Sequence, residues 1–215
     1  MQNVSIKGFI YAALSSATFG LAPFFTISLL LAGFSSFEVL AYRWGIASLT
    51  LVVFGIMLGE TFRISRKDWG TVFILSLLRA ATSFSLVIAY QNISSGVAST
   101  IHFMYPVLTT LIMMIFFHEK KSLWRMAAIA LAVAGVFFLS NGDGTGSVTW
   151  SGIFIVLLSA LGYALYLVTV SQLKNLEMKG LKMTFYVFLF GGILLFTGTE
   201  ISGIGLQAIP DRTTL

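Results

Sequence analysis

Seven long apolar runs constrain the fold of this chain more than any other feature of its sequence. They cover roughly residues 8–31, 37–58, 70–90, 97–117, 123–140, 150–170 and 182–199. A helix that crosses a bilayer needs about 20 mostly apolar residues, and each run approaches that length. The runs are continuous rather than alternating, which argues against the strands of a transmembrane barrel. The sequence therefore predicts an all-α membrane protein, a polytopic bundle of about seven transmembrane helices.

The composition cannot provide the polar surface that a soluble protein needs. Apolar residues make up 57% of the 215 residues and charged residues only 10%, against about 25% charged in a typical soluble domain. These values exclude a soluble enzyme, a disordered chain and a nucleic-acid-binding domain. Although the net charge is +5, the basic residues form short clusters between the apolar runs, a pattern that is typical of membrane topology. Cysteine is absent, so disulfides and thiolate metal sites are excluded.

The basic residues are distributed unequally between the connections. Ten of the 13 Lys and Arg residues lie before the first run, or in and beside the connections after the second, fourth and sixth runs. Arg212 falls on the opposite side, and Arg43 and Arg79 fall inside runs. Because cytoplasmic loops carry an excess of Lys and Arg, we predict a multi-pass protein of the cell inner membrane with a cytoplasmic N-terminus.

A polar, glycine-rich segment divides the chain after the fifth run. We expect an external linker over residues 141–149, with five helices in residues 1–140 and two helices and a tail in residues 150–215. An odd number of helices would separate two copies of a repeat, so the second copy would be inverted, as in many secondary transporters. A weak repeat at a spacing of 144 residues agrees with this plan: Gly8, Leu14, Ser15 and Tyr42 recur as Gly152, Leu158, Ser159 and Tyr186.

Several motifs resemble the EamA-like branch of the drug/metabolite transporter superfamily. The most specific begins with YQNISSGVASTI at residues 90–101, continues through YPVLTT at 105–110 and ends at His118-Glu119-Lys120. Three other features agree with the same family: TFGLAP at residues 18–23, Arg43, and AVAGV at residues 132–136. One departure is Phe19-Gly20, where family members often have Trp-Gly.

The resemblance covers nearly the whole chain and implies two inverted five-helix repeats, or ten helices. The last three helices are missing here, and residues 207–212 look like the loop before an eighth helix, so we expect a truncated chain or gene fragment. The implied function is secondary transport, in the direction of export, of small organic metabolites such as amino acids. The implied mechanism is alternating access, with one repeat rocking against the other. The alternative is a non-transporting fragment or assembly partner that needs the missing helices.

Two arginines are the strongest candidates for a binding site. Arg79 lies near the middle of the third run, where a charge costs about 2.5–3.5 kcal/mol, so it must face the bundle interior or a water-filled cavity. It either recognises an anion or is a structural residue satisfied by helix carbonyls. Arg43 can reach the outer interface, pair with Glu38, or, as the resemblance implies, face the central cavity. A substrate that binds both arginines would be anionic or zwitterionic.

The other candidate residues lie in the first, fourth and sixth helices. His102 either couples transport to protons or is a hydrogen-bonded packing residue. Pro23 and Pro106 are predicted to interrupt their helices and to form kinks or gates, because broken helices at membrane depth line cavities or are buried in protein. The predicted substrate-binding residues are Arg79, Arg43, His102, Tyr105 and Tyr163.

Tyr163 and Tyr166 lie three residues apart in the sixth helix. At 3.6 residues per turn they are about 60° short of alignment. The spacing therefore predicts that the two rings face different directions and that only one of them lines the cavity.

Other classes of membrane protein fit the sequence less well. A seven-helix receptor or retinal protein would have an external N-terminus, and the retinal protein a lysine within residues 183–199, where none occurs. An intramembrane enzyme would need a nucleophile with a base, or a metal cluster. The sequence indicates neither arrangement within the apolar runs, so we expect no enzymatic activity, metal or cofactor. The expected partners are a small-molecule substrate, the lipid bilayer and a second copy in a homodimer, and not nucleic acid.

Overall fold

The computed structural model describes residues 6–119, 123–140, 149–173, 178 and 180–203. Most of the predicted linker and the tail after residue 203 lie outside these described residues. The helices are α1 (Ile6–Leu31), α2 (Ser36–Met57), α3 (Trp69–Asn92), α4 (Ser95–His102), α5 (Tyr105–Phe116), α6 (Leu123–Ser140), α7 (Trp150–Gln172) and α8 (Leu181–Ile201). Since α4 and α5 together make one span, these eight helices correspond to the seven predicted apolar runs.

Five spans are long and apolar enough to cross a membrane: α2, α3, α4 with α5, α7 and α8. In α1 and α6 the apolar stretches found among the described residues are shorter, Leu21–Leu31 and Met126–Gly135. The prediction of an all-helical, multi-pass membrane protein is confirmed.

Helix α2 begins at a capping box that uses its only acidic side chain. The Ser35 hydroxyl accepts a hydrogen bond from the Glu38 backbone N–H at 3.2 Å, and Glu38 Oε2 accepts one from the Ser35 backbone N–H at 2.8 Å. This reciprocal pair satisfies two backbone donors that the first turn of a helix leaves without partners. The Glu38 side chain is fully buried and is held at the end of α2.

The two helices after the linker pack between the earlier ones. Helix α8 lies against α2 and α3, and α7 lies against α3, α4 and α5. Helix α1 lies against α2, while α6 lies against α5 and α4. Small residues on α7, including Ala160, Gly162 and Ala164, let the neighbouring helices approach closely. Close packing of α3 and α7 brings the polar side chains of these two helices together.

The predicted helix breaks differ in outcome. The fourth span is interrupted at Phe103 and Met104, immediately before Tyr105 and Pro106 at the start of α5. Helix α1, in contrast, continues through Pro23 as one assigned helix. Proline lacks an N–H, so it costs α1 one backbone hydrogen bond without ending it. The prediction of an interruption at Pro23 is therefore wrong.

Candidate functional site: a cavity with two arginines

A small cavity lies within the bundle between α1, α2, α3, α4 and α7. Its volume is about 50 Å³, whereas pockets for small organic ligands are typically about 300–1,000 Å³. The cavity can hold water in this conformation, but an organic metabolite would require the helices to move apart. The lining residues are Ala22, Pro23, Leu40, Arg43, Arg79, Thr82, Ser83, Leu86, Val87, Tyr90, His102 and Tyr163.

Arg79 connects α3 to α7 across the cavity. Its Nη1 donates a hydrogen bond to Ser83 Oγ at 3.3 Å, one turn further along α3. The guanidinium carbon lies 4.6 Å from the centroid of the Tyr163 ring on α7, within the range of a cation–π interaction. The aromatic face positions the charge, and most of the five guanidinium donors remain available to a ligand.

Arg43 extends from α2 to α1. Its Nη1 donates to Thr26 Oγ1 at 2.7 Å, and Thr26 in turn donates to the Ala22 carbonyl at 2.7 Å. Thr26 is fully buried, and Ala22 and Pro23 line the cavity. Of the three directions that the sequence left open for Arg43, the structure shows the one into the cavity, because Arg43 contacts Thr26 and lines the cavity.

His102 belongs to a buried hydrogen-bonded chain that joins three helices. Ser159 Oγ on α7 donates to the Thr82 carbonyl on α3 at 2.7 Å and lies 3.2 Å from His102 Nδ1 on α4. Because a serine hydroxyl has one proton, both contacts are made together only if Nδ1 carries the histidine proton and donates to Ser159. This tautomer leaves Nε2 as an acceptor.

Four aromatic rings form a cluster on one side of the cavity. His102 stacks on Tyr163 with centroids 5.8 Å apart and planes at 21°, and Tyr105 meets Tyr163 edge-on at 4.6 Å. Tyr163 and Tyr166 stack at 5.8 Å with planes at 9°. The prediction that these two rings face different directions is wrong, because long aromatic side chains span an angular difference of about 60° between their Cα positions. Tyr163, however, is the one of the two that lines the cavity.

The structure brings most of the sequence-predicted residues to one place. Arg43, Arg79, His102 and Tyr163 line the cavity, and Tyr105 lies behind them against Tyr163. Of the two prolines, Pro23 lines the cavity, whereas Pro106 is exposed at the start of α5. The assignment of these residues to substrate binding remains a prediction.

Several polar residues at the cavity do not appear among the sequence-based candidates. On α3, Thr82, Ser83 and Tyr90 follow Arg79 at intervals of three, four and eleven residues, which places them on one helical face. That spacing could have identified them. The two hydroxyls that contact the predicted residues from other helices, Thr26 and Ser159, carry no comparable signal.

A second, larger cavity lies between α1 and α4. It measures about 480 Å³ and shares Pro23 with the central cavity. Tyr90 of the central cavity and Ser99 of the second cavity are linked by a hydrogen bond of 3.3 Å between their hydroxyls. The two cavities are therefore neighbours, separated by side chains of α1, α3 and α4. No group of three or more His, Cys, Asp or Glu within the described residues is arranged to hold a metal ion.

Comparison with known proteins identifies the family. The EamA-like transporter family matches residues 6–141. YdfC of Bacillus subtilis, named an uncharacterized transporter, is 26% identical over 140 residues, which are 64% of this chain and 45% of YdfC. YojE of the same organism, also named an uncharacterized transporter, is 27% identical over 209 residues, 92% of this chain and 67% of YojE.

An uncharacterized inner membrane transporter of Escherichia coli, YedA, is 25% identical over 170 residues, which are 79% of this chain and 54% of YedA. The chain thus spans about half to two thirds of the length of the curated relatives it matches. No solved structure matches the chain significantly. The family match covers more than half of the chain and includes every cavity-lining residue except Tyr163, so the protein belongs to the EamA-like transporter family.

Proposed function

We propose that the protein is a secondary transporter of small organic anions or zwitterions, amino acids among them, with export as the direction. The observation that carries this proposal is the pair Arg43 and Arg79, two cations from membrane-spanning helices that line one cavity. Charges inside a membrane are costly and typically mark substrate or ion pathways. The aromatic cluster and the apolar lining residues Leu40, Leu86 and Val87 would hold the uncharged part of the substrate.

Alternating access is the mechanism that we propose. The central cavity is too small for a metabolite, which supports the interpretation of this structure as a closed conformation. We expect α4 to move at two points: the interruption between α4 and α5, and the long hydrogen bond between the hydroxyls of Tyr90 and Ser99. Such a movement would join the central cavity to the larger one beside α1. In this proposal, residues 1–140 form the first repeat, and residues 150–215 contribute the beginning of an inverted second repeat.

Transport can be measured in proteoliposomes. Liposomes that contain the protein are loaded with one unlabelled compound from a panel of amino acids and organic acids, and the same compound is added outside in radiolabelled form. We expect exchange of the labelled carboxylate for the unlabelled one, because the two arginines supply an anion site. Protein-free liposomes provide the background, and no exchange above it for any compound would contradict the proposed transport. Substrate binding without exchange would instead support the alternative of an assembly partner. A homodimer, which light scattering would detect, remains a prediction.

The proposed orientation places the N-terminus in the cytoplasm, on the basis of the unequal distribution of Lys and Arg. A reporter that is active only outside the cytoplasm should therefore be active when fused after Gly142. The same reporter fused after Arg66, in the connection between α2 and α3, should be inactive and serves as the matched control. The reverse pattern of activity would overturn the orientation.

A further inference from the structure

The charged side chains at the central cavity are all of one sign. None of its lining residues within the described part of the chain is acidic. The sequence extends this observation, because α1, α3, α4 and α7 contain no Asp or Glu at any position, and Glu38 is the only acid of α2. Its carboxylate accepts the Ser35 backbone N–H at the end of the helix. The five helices around the cavity therefore supply two guanidinium groups and no carboxylate to the lining.

Both guanidinium groups keep unused hydrogen-bond donors. Arg43 donates to Thr26 and Arg79 donates to Ser83, and neither forms an ion pair with a residue that the structure describes. A guanidinium has five N–H donors, and a cation away from water is costly without a counter-charge. A ligand with a negative charge would supply the acceptors and the counter-charge that the described residues around the cavity do not provide.

An ammonium group would find neutral acceptors in this cavity, such as His102 Nε2 and the hydroxyls of Ser83 and Tyr90, but no counter-charge among the lining residues. Besides a carboxylate, the face of an aromatic ring can stabilise the charge of an ammonium. The Tyr163 ring is already covered by the guanidinium of Arg79, and its contacts with His102 and Tyr166 are stacked. Repulsion from two guanidinium groups would act on the ammonium with little screening, because the effective dielectric constant inside a protein is low.

One buried hydroxyl at the cavity is suited to bind an uncharged oxygen atom of a ligand. Thr82 Oγ1 has no hydrogen-bond partner among the described residues, although Thr82 is only 2% exposed and lines the cavity. Buried polar groups are normally paired. In this conformation the hydroxyl lies beside Gly162 of α7, so it becomes a candidate contact for a ligand when α3 and α7 move apart. A hydroxyl both donates and accepts, and it therefore suits a hydroxyl or keto oxygen of the ligand.

From these observations we propose that the cavity selects carboxylates without an ammonium group, with 2-hydroxy and 2-keto acids preferred over the corresponding amino acids. The carboxylate would bind Arg43 and Arg79, and the oxygen at C2 would bind Thr82. This inference rests on the proposed function and narrows its substrate class from anions or zwitterions to organic anions.

The test compares ligands that differ only at C2. The protein in lipid nanodiscs is titrated with four sets of compounds: alanine, lactate and pyruvate; leucine and its 2-hydroxy and 2-keto analogues; phenylalanine and its analogues; and glutamate and its analogues. Binding is measured from the shift in melting temperature, which increases with ligand concentration relative to Kd. We expect at least one hydroxy or keto acid to bind 10-fold or more tightly than its amino acid.

The possible outcomes separate this inference from the proposed function. If an amino acid binds as tightly as its analogues, or more tightly, the selection against ammonium is overturned while the anion site stands. If no compound of any set binds, both proposals fail.

Thr82→Val preserves the shape of the side chain and removes the hydroxyl. It should weaken the binding of the best hydroxy or keto acid several-fold and leave unchanged the binding of the acid with the same carbon chain but no substituent at C2, which is added as the control ligand; equal effects on both would overturn the role of Thr82.

Discussion

Replacing Arg79 with alanine should abolish substrate uptake while leaving the protein folded. The substitution removes the cation that lies over Tyr163 and lines the cavity from the middle of α3. Loss of one partner from a buried, hydrogen-bonded charge pair costs about 2–5 kcal/mol, which corresponds to at least a roughly 30-fold increase in Kd. Uptake into proteoliposomes would measure the loss of transport, and ligand titration in nanodiscs would measure the increase in Kd.

Two further variants make this result specific. Arg79→Lys keeps the positive charge but loses the planar guanidinium, so it should retain part of the affinity. Arg66→Ala removes an exposed arginine from the connection between α2 and α3 and should behave as the wild type. Wild-type uptake in folded Arg79→Ala protein would eliminate the anion site, and the same loss in Arg66→Ala would show that the effect is not particular to the cavity.

The second large effect is expected at the interface of α2 and α8, where Gly191 lies against Trp44. A methyl group at Gly191 would overlap the six-membered ring of Trp44. This ring is only 3% exposed and is packed edge-on against Phe188 at 5.1 Å, so it has little room to move. Gly191→Ala should therefore destabilise the bundle by about 1–3 kcal/mol, the usual range for an overpacked core.

The adjacent glycine provides a control on the same helix. A methyl group at Gly192 would lie 3.6 Å from Trp44 Cβ, an ordinary contact distance. Since alanine is favoured over glycine within a helix by up to about 1 kcal/mol, Gly192→Ala should be neutral or stabilising. Melting of the purified variants can be followed by tryptophan fluorescence. Equal stability of Gly191→Ala and Gly192→Ala would contradict the proposed packing of α8 on Trp44.

Much of the candidate site was accessible from the sequence because charges inside apolar runs are rare. Arg79 was identified for that reason, Arg43 for that reason together with the family resemblance, and both line the cavity. Tyr163 was identified less directly, and its stacking with Tyr166 contradicted the expected separation of the two rings. Helical angles describe where Cα atoms lie, whereas an aromatic ring extends far enough to reach across a neighbouring face.

The prolines show the same difference between what the local sequence predicts and what the packed structure contains. Pro106 follows an interruption that the structure contains, but α1 continues through Pro23. A proline removes one backbone hydrogen bond wherever it occurs. Whether the helix ends there depends on whether the remaining hydrogen bonds and the packing of the neighbours preserve its course, and this information is not local.

The amino-acid sequence by itself determined which apolar runs become helices, their bounds to within a few residues and the family of the protein. It could do so because a bilayer imposes a length of about 20 apolar residues on each crossing. Only the tertiary structure decided which polar side chains meet. Thr26 contacts Arg43, Ser159 contacts His102, and Ser159 contacts Thr82, across separations of 17, 57 and 77 residues. Helical periodicity orders side chains within one helix, so it cannot specify contacts that depend on how separate helices pack.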